Sequence, residues 1–196
     1  LKSADGIIVP GGFGIRGTEG KILAANYART HKIPYLGLCL GMQIMTIEFA
    51  RHVLRDPQIT SEEFDEKSML NRDKYVIHFM PDQSWHREKG GTLRLGVYPC
   101  KITPGTITQK AYGKSSIMER HRHRYEVNPK FVDQIFEAGL IFSGTSPDGW
   151  LMEIAELPRK VHPFFLGTQF HPEFLARPLR PHPLFTEFIK AAGKKK

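Results

Sequence analysis

A cysteine at residue 39 stands where a short apolar run gives way to a helical pattern. Residues 35–38 are apolar, and from Met42 onward apolar residues recur at spacings of three and four, as in an amphipathic helix. Glycines lie two residues before and two residues after Cys39, which is the pattern of a nucleophile elbow between a strand and a helix. Such a corner would present the thiol beside a helix N-terminus, where the thiolate form is favoured. A small buried hydrophobe is the alternative interpretation of Cys39.

A histidine and a carboxylate follow another apolar run near the end of the chain. Residues 164–170 are predicted to form a buried strand, and His171, Pro172 and Glu173 come directly after it. Residues two apart in an extended segment face the same way, so Glu173 can bind one ring nitrogen of His171 while the other nitrogen faces Cys39. A thiol nucleophile needs such a base, and the base needs an orienting group. A histidine that only caps the strand is the alternative.

A glycine-rich run, PGGFGIRG, occupies residues 10–17 between a predicted strand and a helix. Its exposed amides, at Gly12 above all, and the amide of Leu40 after the nucleophile could together stabilise an oxyanion. The same run also matches G-x-G-x-x-G, the dinucleotide fingerprint. That fingerprint requires an acidic residue roughly twenty positions later, and residues 32–43 contain none. We therefore favour the oxyanion hole over nucleotide binding.

The most unusual run of the chain is ERHRHRY at residues 119–125. In an extended strand its three arginines would share one face, and His121, His123 and Tyr125 the other. A nucleic-acid surface would explain the positive charge, but one aromatic residue and no other module signature argue against that partner. Bidentate binding of a small carboxylate by arginine fits better. Glu63 could bind the ammonium group of the same ligand, or it could form a capping box with Thr60.

Composition describes a globular protein of one domain, long enough to form a core. The chain has 196 residues, of which 40% are hydrophobic and 24% are charged. No apolar run approaches the roughly 18 residues of a membrane span, so we expect no membrane partner. Cys39 and Cys100 are the only cysteines, which favours a reducing, cytoplasmic location. The net charge of +8 includes a predicted basic tail at residues 193–196.

Strand and helix patterns alternate at the start of the chain. Strands at residues 7–9 and 34–38, each followed by a helix, at 19–30 and 41–54, predict a mostly parallel central sheet flanked by helices. Residues 55–91 are predicted to be a surface insertion with one short strand at 75–79. The remaining predictions are strands at 93–97, 119–127, 140–143 and 150–156, an extended piece at 101–110, and helices at 130–138 and 183–192. Because the first strand begins so near Leu1, we expect a fragment of a longer polypeptide.

Two of these motifs resemble a known family. The runs GLCLGMQ at residues 37–43 and QFHPEF at 169–174 resemble the class I, or triad, glutamine amidotransferases. The runs PGGFG at 10–14, GTLRLG at 91–96 and ERHRHRYEVN at 119–128 are similar to the C-terminal domains of CTP synthases. The likeness covers residues 7–192 and implies a flavodoxin-like α/β fold without the opening strands of the family. It implies one glutaminase domain over residues 1–196.

The resemblance also implies roles for particular residues. Cys39, His171 and Glu173 would hydrolyse L-glutamine through a glutamyl thioester, with the amides of Gly12 and Leu40 at the oxyanion. Arg124 would bind the α-carboxylate of glutamine and Glu63 its α-amino group, although TSEEF at residues 60–64 departs from the usual Asn-Ser-x-Glu-Phe. The full set of glutamine-binding positions implied by motif match is Gly12, Phe13, Leu40, Gln43, Glu63, Arg124 and Tyr125.

Partners and cofactors are likewise implied by the resemblance. Ammonia would pass to an N-terminal synthase, or amidoligase, domain that uses ATP and Mg²⁺ to aminate UTP to CTP. GTP would activate the glutaminase step, and the enzyme would be a homotetramer formed through the synthase domain. No metal or other cofactor is expected in the glutaminase domain itself. A stand-alone glutamine or γ-glutamyl hydrolase and a non-catalytic interaction module are the alternatives.

Overall fold

The computed structural model describes residues 1–65, 69–80 and 93–193. The strands in these ranges are β1 (Ile7–Val9), β2 (Tyr35–Leu38), β3 (Thr60–Ser61), β4 (Tyr75–Phe79), β5 (Arg94–Ile102), β6 (Ser116–His123), β7 (Tyr125–Val127), β8 (Ile141–Thr145), β9 (Met152–Glu156) and β10 (Phe165–Thr168). Within the described part of the chain, seven strands form one sheet in the order β1-β2-β10-β9-β8-β5-β6. Strands β3, β4 and β7 form a second, smaller sheet.

Helices cover both faces of the larger sheet. They are α1 (Thr18–Thr30), α2 (Leu40–Leu54), α3 (Ile107–Tyr112), α4 (Pro129–Glu137) and α5 (Pro183–Ala192). Successive residues of β2 point to opposite faces, so Tyr35 packs in the cluster with α1, α2 and α4 while Leu36 packs in the cluster with α3 and α5. None of the helices in the described ranges combines the length and apolar character that crossing a membrane requires.

The α/β fold with a helix-flanked sheet is confirmed, but the prediction of a mostly parallel sheet is wrong. Only the pairs β1·β2 and β2·β10 of the larger sheet are parallel among the described strands. The pairs β10·β9, β9·β8, β8·β5 and β5·β6 are antiparallel. Antiparallel neighbours can be joined by a short turn, as β8 and β9 are by residues 146–151, so no crossover helix is needed there.

Two local predictions also need correction. Residues 101–110 were expected to be extended, yet β5 ends at Ile102 and α3 begins at Ile107, because the Thr106 hydroxyl caps the helix by accepting from the Gln109 amide at 3.1 Å. The single strand expected at residues 119–127 is divided between β6 and β7. Parts of the predicted insertion (66–68 and 81–91), Gly91 and Thr92 of the GTLRLG run, and residues 194–196 of the basic tail lie outside the described residues.

The corner at Cys39 has the strained geometry that its flanking glycines predict. Cys39 has φ 51° and ψ −102°, and α2 begins at the next residue. A Cβ atom on Gly37 would overlap the backbone of Gly41, and a Cβ atom on Gly41 would overlap the carbonyl oxygen of Val9. The start of α2 can therefore approach β1 and β2 this closely only because both flanking positions are glycine.

We expect Gly41→Ala to lower the free energy of unfolding by about 1–3 kcal/mol, because the added methyl group has no space beside Val9. Urea denaturation followed by circular dichroism would measure the change. Gly20→Ala in α1 is the matched control, since a Cβ atom there meets nothing within 4 Å. We expect that control to be stabilised by about 0.5–1 kcal/mol through helix propensity. Similar effects of the two substitutions would contradict the close packing at the elbow.

Candidate active site

Three predicted side chains meet at the carboxyl ends of neighbouring strands. Cys39 follows β2 and His171 follows β10, and these strands pair in parallel with Thr168 opposite Leu38. Nδ1 of His171 lies 2.6 Å from Oε1 of Glu173. The other ring nitrogen, Nε2, is buried and makes no hydrogen bond of normal geometry within the described residues. The predicted contact of Glu173 with one ring nitrogen of His171 is thus present, and the other nitrogen has no hydrogen-bond partner among the described residues.

The glycine loop lies against both the thiol and the imidazole. A Cβ atom on Gly11 would lie 2.8 Å from Cε1 of His171 and 3.7 Å from Cβ of Cys39. A glycine at this position therefore lets the backbone of the loop reach the two side chains. Any larger residue at position 11 would push the loop away from them.

The electrostatic environment of His171 favours its protonated form. Burial by itself lowers the pKa of the imidazole, but the nearby Cys39 and Glu173 together outweigh burial and raise the pKa to about 9. The ring is consequently an imidazolium, with a proton on each nitrogen, at neutral pH. A cationic imidazole beside a thiol is an arrangement that supports a reactive sulfur.

The two residues whose backbone amides are predicted to stabilise an oxyanion lie next to each other. Leu40 is the first residue of α2, so its N–H has no acceptor within the helix. A Cβ atom on Gly12 would lie 3.3 Å from Cδ2 of Leu40, which places the glycine loop directly against the elbow. The structure therefore brings Gly12 and Leu40 together beside Cys39.

Glu63 and Arg124 lie with the same loop. Oε1 of Glu63 accepts a hydrogen bond from the Gly14 amide at 2.8 Å, and the Arg124 guanidinium lies 5.9 Å from the centre of the Phe13 ring. Burial raises the pKa of Glu63, and this effect outweighs the opposing Gly14 hydrogen bond and Arg124 charge. Two groups of opposite charge thus share one rim of the site.

The alternative interpretation of Glu63, a capping box with Thr60, is wrong. Oγ of Ser61, not of Thr60, accepts from the Glu63 amide at 3.2 Å. Ser61 is the residue that precedes the 3-10 turn Glu62–Phe64, so it occupies the capping position. The Glu63 carboxylate is therefore directed to the glycine loop rather than back to its own turn.

Gln43 and Tyr125 are connected to the thiol through a residue that sequence reasoning missed. Nε2 of buried Gln43 donates to the Tyr125 carbonyl at 3.1 Å and to Oε1 of Gln169 at 3.3 Å. Nε2 of Gln169 lies 3.7 Å from Sγ of Cys39. The only available signal for Gln169 was its place in the QFHPEF run, and an amide carries no pattern that specifies contact with a thiol.

The prediction that three arginines share a face is wrong for Arg124. Along β6, exposed Arg120 and Arg122 alternate with buried His121 and His123. The chain then leaves the larger sheet and enters β7 of the smaller one, so Arg124 falls at the break in the alternation. This change of sheet turns Arg124 toward the glycine loop.

Among the described residues, one group has metal-ligand chemistry. Ligand atoms of His121, His123 and Glu153 lie within 4.8 Å of one another. However, Nη1 of Arg94 lies 2.5 Å from Oε1 of Glu153 and 3.3 Å from Nδ1 of His121. A guanidinium already supplies the positive charge at this place, and a metal ion beside it would be repelled. We therefore assign no metal to the group.

Comparison with known proteins agrees with this arrangement. The sequence matches the family described as Glutamine amidotransferase class-I over residues 1–191. CTP synthases of Dehalococcoides mccartyi and Roseiflexus sp. are each 58% identical to it over 194 and 195 residues, or 99% of this chain. The chain spans only 35% and 34% of the length of those two proteins.

A solved structure shows the same fold. The glutaminase domain of Trypanosoma brucei CTPS with bound acivicin matches with a TM-score of 0.87 and 38% sequence identity. The match covers 99% of this chain and 73% of that one. With a family match over residues 1–191 and a relative of this similarity, the chain belongs to the class I glutamine amidotransferase family.

Proposed function

We propose that this chain is the glutaminase domain of a CTP synthase and that it hydrolyses L-glutamine at Cys39. The observation that carries the proposal is the hydrogen-bonded pair of His171 and Glu173, 2.6 Å apart, beside a thiol on a strained elbow. A thiol, a base and a group that orients the base are what covalent acyl transfer requires. The relatives named CTP synthase provide the second support.

In the proposed mechanism the proton of Cys39 is already held on Nε2 of the His171 imidazolium, and the thiolate sulfur attacks the side-chain carbonyl carbon of glutamine. The negative oxygen that forms is bound by the amides of Gly12 and Leu40. When the C–N bond breaks, His171 passes its proton to the leaving nitrogen and ammonia departs. Water then gives a proton to His171 and attacks the thioester. Glutamate leaves, and the proton taken from water stays on His171, which restores the thiolate and the imidazolium.

The α-substituents of glutamine would be held at the rim of the site. Arg124 would bind the α-carboxylate and Glu63 the α-ammonium group, since these opposite charges already lie beside the same loop. Nε of Arg124 is buried without a hydrogen-bond partner in the described ranges, which leaves it available to a ligand. Phe13, Gln43 and Tyr125 would complete the binding site.

In the whole protein, a second domain would use the ammonia. Because the chain spans 35% of its CTP synthase relatives, we propose that an N-terminal amidoligase domain receives the ammonia and aminates UTP with ATP and Mg²⁺. GTP activation, assembly into a homotetramer through that domain, and a cytoplasmic location are part of the same proposal. No metal or organic cofactor is proposed for the glutaminase domain.

We expect Cys39→Ala in the full-length protein to abolish glutamine-dependent CTP formation and to retain ammonia-dependent CTP formation, because the thiol serves only the release of ammonia. Mass spectrometry should find an acivicin adduct on Cys39 of the parent. Cys100→Ala is the matched control. Burial raises the pKa of the Cys100 thiol, which is fully enclosed, so Cys100 should not react. Its removal should therefore leave the labelling of Cys39 unchanged. Equal loss of the two activities in Cys39→Ala would contradict the assigned role.

We expect Arg124→Lys to raise the KM for glutamine by about 10–100-fold, with a smaller effect on kcat, because an ammonium group cannot make the paired hydrogen bonds of a guanidinium. Steady-state glutaminase kinetics would measure both constants. Arg159→Lys is the control, since Arg159 is an exposed residue that pairs with Glu187 at 3.7 Å. A KM that stays at the parent value in Arg124→Lys would remove Arg124 from the binding site.

The pair of His171 and Glu173 should also make stability depend on pH. A histidine whose pKa rises from about 6.5 unfolded to about 9 folded stabilises the protein below pH 6.5, and this contribution is lost as pH rises through 9. The difference in free energy of unfolding between parent and Glu173→Gln should therefore be largest near pH 6 and shrink toward pH 9.5, as measured in urea. Glu137→Gln, at an exposed position of α4, should give a flat difference. A flat difference for Glu173→Gln would show that its carboxylate does not interact with the imidazolium.

A further inference from the structure

Strand β6 contacts two members of the proposed triad through its backbone. The carbonyl of Arg120 accepts a hydrogen bond from the backbone N–H of His171 at 2.9 Å, and the carbonyl of Arg122 lies 3.8 Å from Sγ of Cys39. Carbonyl groups two residues apart in a strand point to the same edge. The free edge of β6 therefore faces both the base and the nucleophile.

The outer face of β6 is open to solvent, and the strand lies at the end of its sheet. In the described part of the chain β6 is the last strand of its sheet and pairs only with β5. Its outer face and that of β5 are exposed, with Met118 at 55%, Leu95 at 58% and Val97 at 46% of their full accessible surface. Apart from its pairing with β5, the position of β6 is therefore set by contacts of its buried face.

The buried face of β6 carries a continuous polar network. Arg94 and Glu153 form an ion pair of 2.5 Å, and Nη1 of Arg94 lies 3.3 Å from Nδ1 of His121. Nδ1 of His121 lies 3.1 Å from Nε2 of His123, and Nδ1 of His123 lies 3.1 Å from the Tyr125 carbonyl. The network joins β9 to β6 and continues to the first residue of β7.

The proton positions in this network follow from its last contact. A carbonyl can only accept, so Nδ1 of His123 donates to Tyr125, and Nε2 of neutral His123 must accept from Nδ1–H of His121. Arg94 can only donate, so its 3.3 Å approach to Nδ1 of His121 is a packing contact and not a hydrogen bond. Burial and the nearby Arg94 charge lower the pKa of His121 to about 2 and that of His123 to about 3, so both rings stay neutral. Each imidazole is thereby restricted to one tautomer and one orientation.

We infer that His121 and His123 are positioning residues: with the pair Arg94–Glu153 they hold β6 where its backbone carbonyls align Cys39 and His171. The inference rests on the proposed glutaminase function, and it gives the RHRHR run a role beyond the one side chain, Arg124, that faces the substrate. In this role neither imidazole needs to touch glutamine or exchange a proton with it.

The test compares His121→Leu, which removes the donor to His123, with His121→Asn, whose amide nitrogen can occupy the place of Nδ1. His52→Leu, at an exposed position of α2, is the matched control. All are made in the full-length protein. Glutaminase kinetics and the rate of iodoacetamide alkylation, read by mass spectrometry separately at Cys39 and at Cys100, are measured for each.

We expect His121→Leu to lower kcat by about 10²-fold, the effect of a displacement of about 1 Å at reacting groups. The KM for glutamine should change by less than about threefold, since the groups proposed to bind its charged ends, Arg124 and Glu63, are not members of the network. Alkylation of Cys39 should slow, and Cys100 on neighbouring β5 should stay protected. His121→Asn should recover most of the parent kcat and alkylation rate.

Three results would overturn the inference: an unchanged Cys39 alkylation rate in His121→Leu, equal loss in the leucine and asparagine variants, or alkylation of Cys100, which would indicate local unfolding. The alkylation arm does not require glutamine. If the parent showed no glutaminase activity, the proposed function would fail, while the Cys39 rates of parent, His121→Leu and His121→Asn would still decide the role of the network.

Discussion

The geometry of the site depends on how closely the first turn of α2 approaches strands β1 and β2. Any side chain larger than a hydrogen atom is excluded at Gly37 and Gly41, where the backbones of the elbow and of Val9 meet. This approach imposes a positive φ on Cys39 and holds its side chain above the ends of the strands. The loop at residues 11–12 then lies against the side chains of Cys39, His171 and Leu40.

The histidines near the active site differ in charge: one is cationic, and two are neutral. His171 has a carboxylate on one side and a thiol on the other, and its pKa is raised to about 9. His121 and His123 are buried next to a guanidinium that is already paired, and their pKa values fall to about 2 and 3. Identical side chains thus become a carrier of positive charge in one place and neutral hydrogen-bonding groups in another, according to the charged neighbour.

Features set by neighbours in sequence could be predicted, whereas those set by distant contacts could not. The glycines around Cys39 and the spacing of His171 and Glu173 act within a few residues, so their geometry followed from the pattern. The mixed sheet and the departure of Arg124 from its row result from pairing between strands far apart in the chain. The contact of Gln169 with the thiol depends on Gln43, 126 residues away, and no local pattern encodes it.

The segment that follows β10 lies along the outer edge of β6, where the His171 amide takes the Arg120 carbonyl. An open strand edge is a template on which another chain can add a strand, and such edges promote aggregation. Here part of that edge is covered by the protein itself, and the charged side chains of Arg120 and Arg122 project from the same strand. The contact that aligns the proposed base therefore also protects the sheet from edge-to-edge association with other molecules.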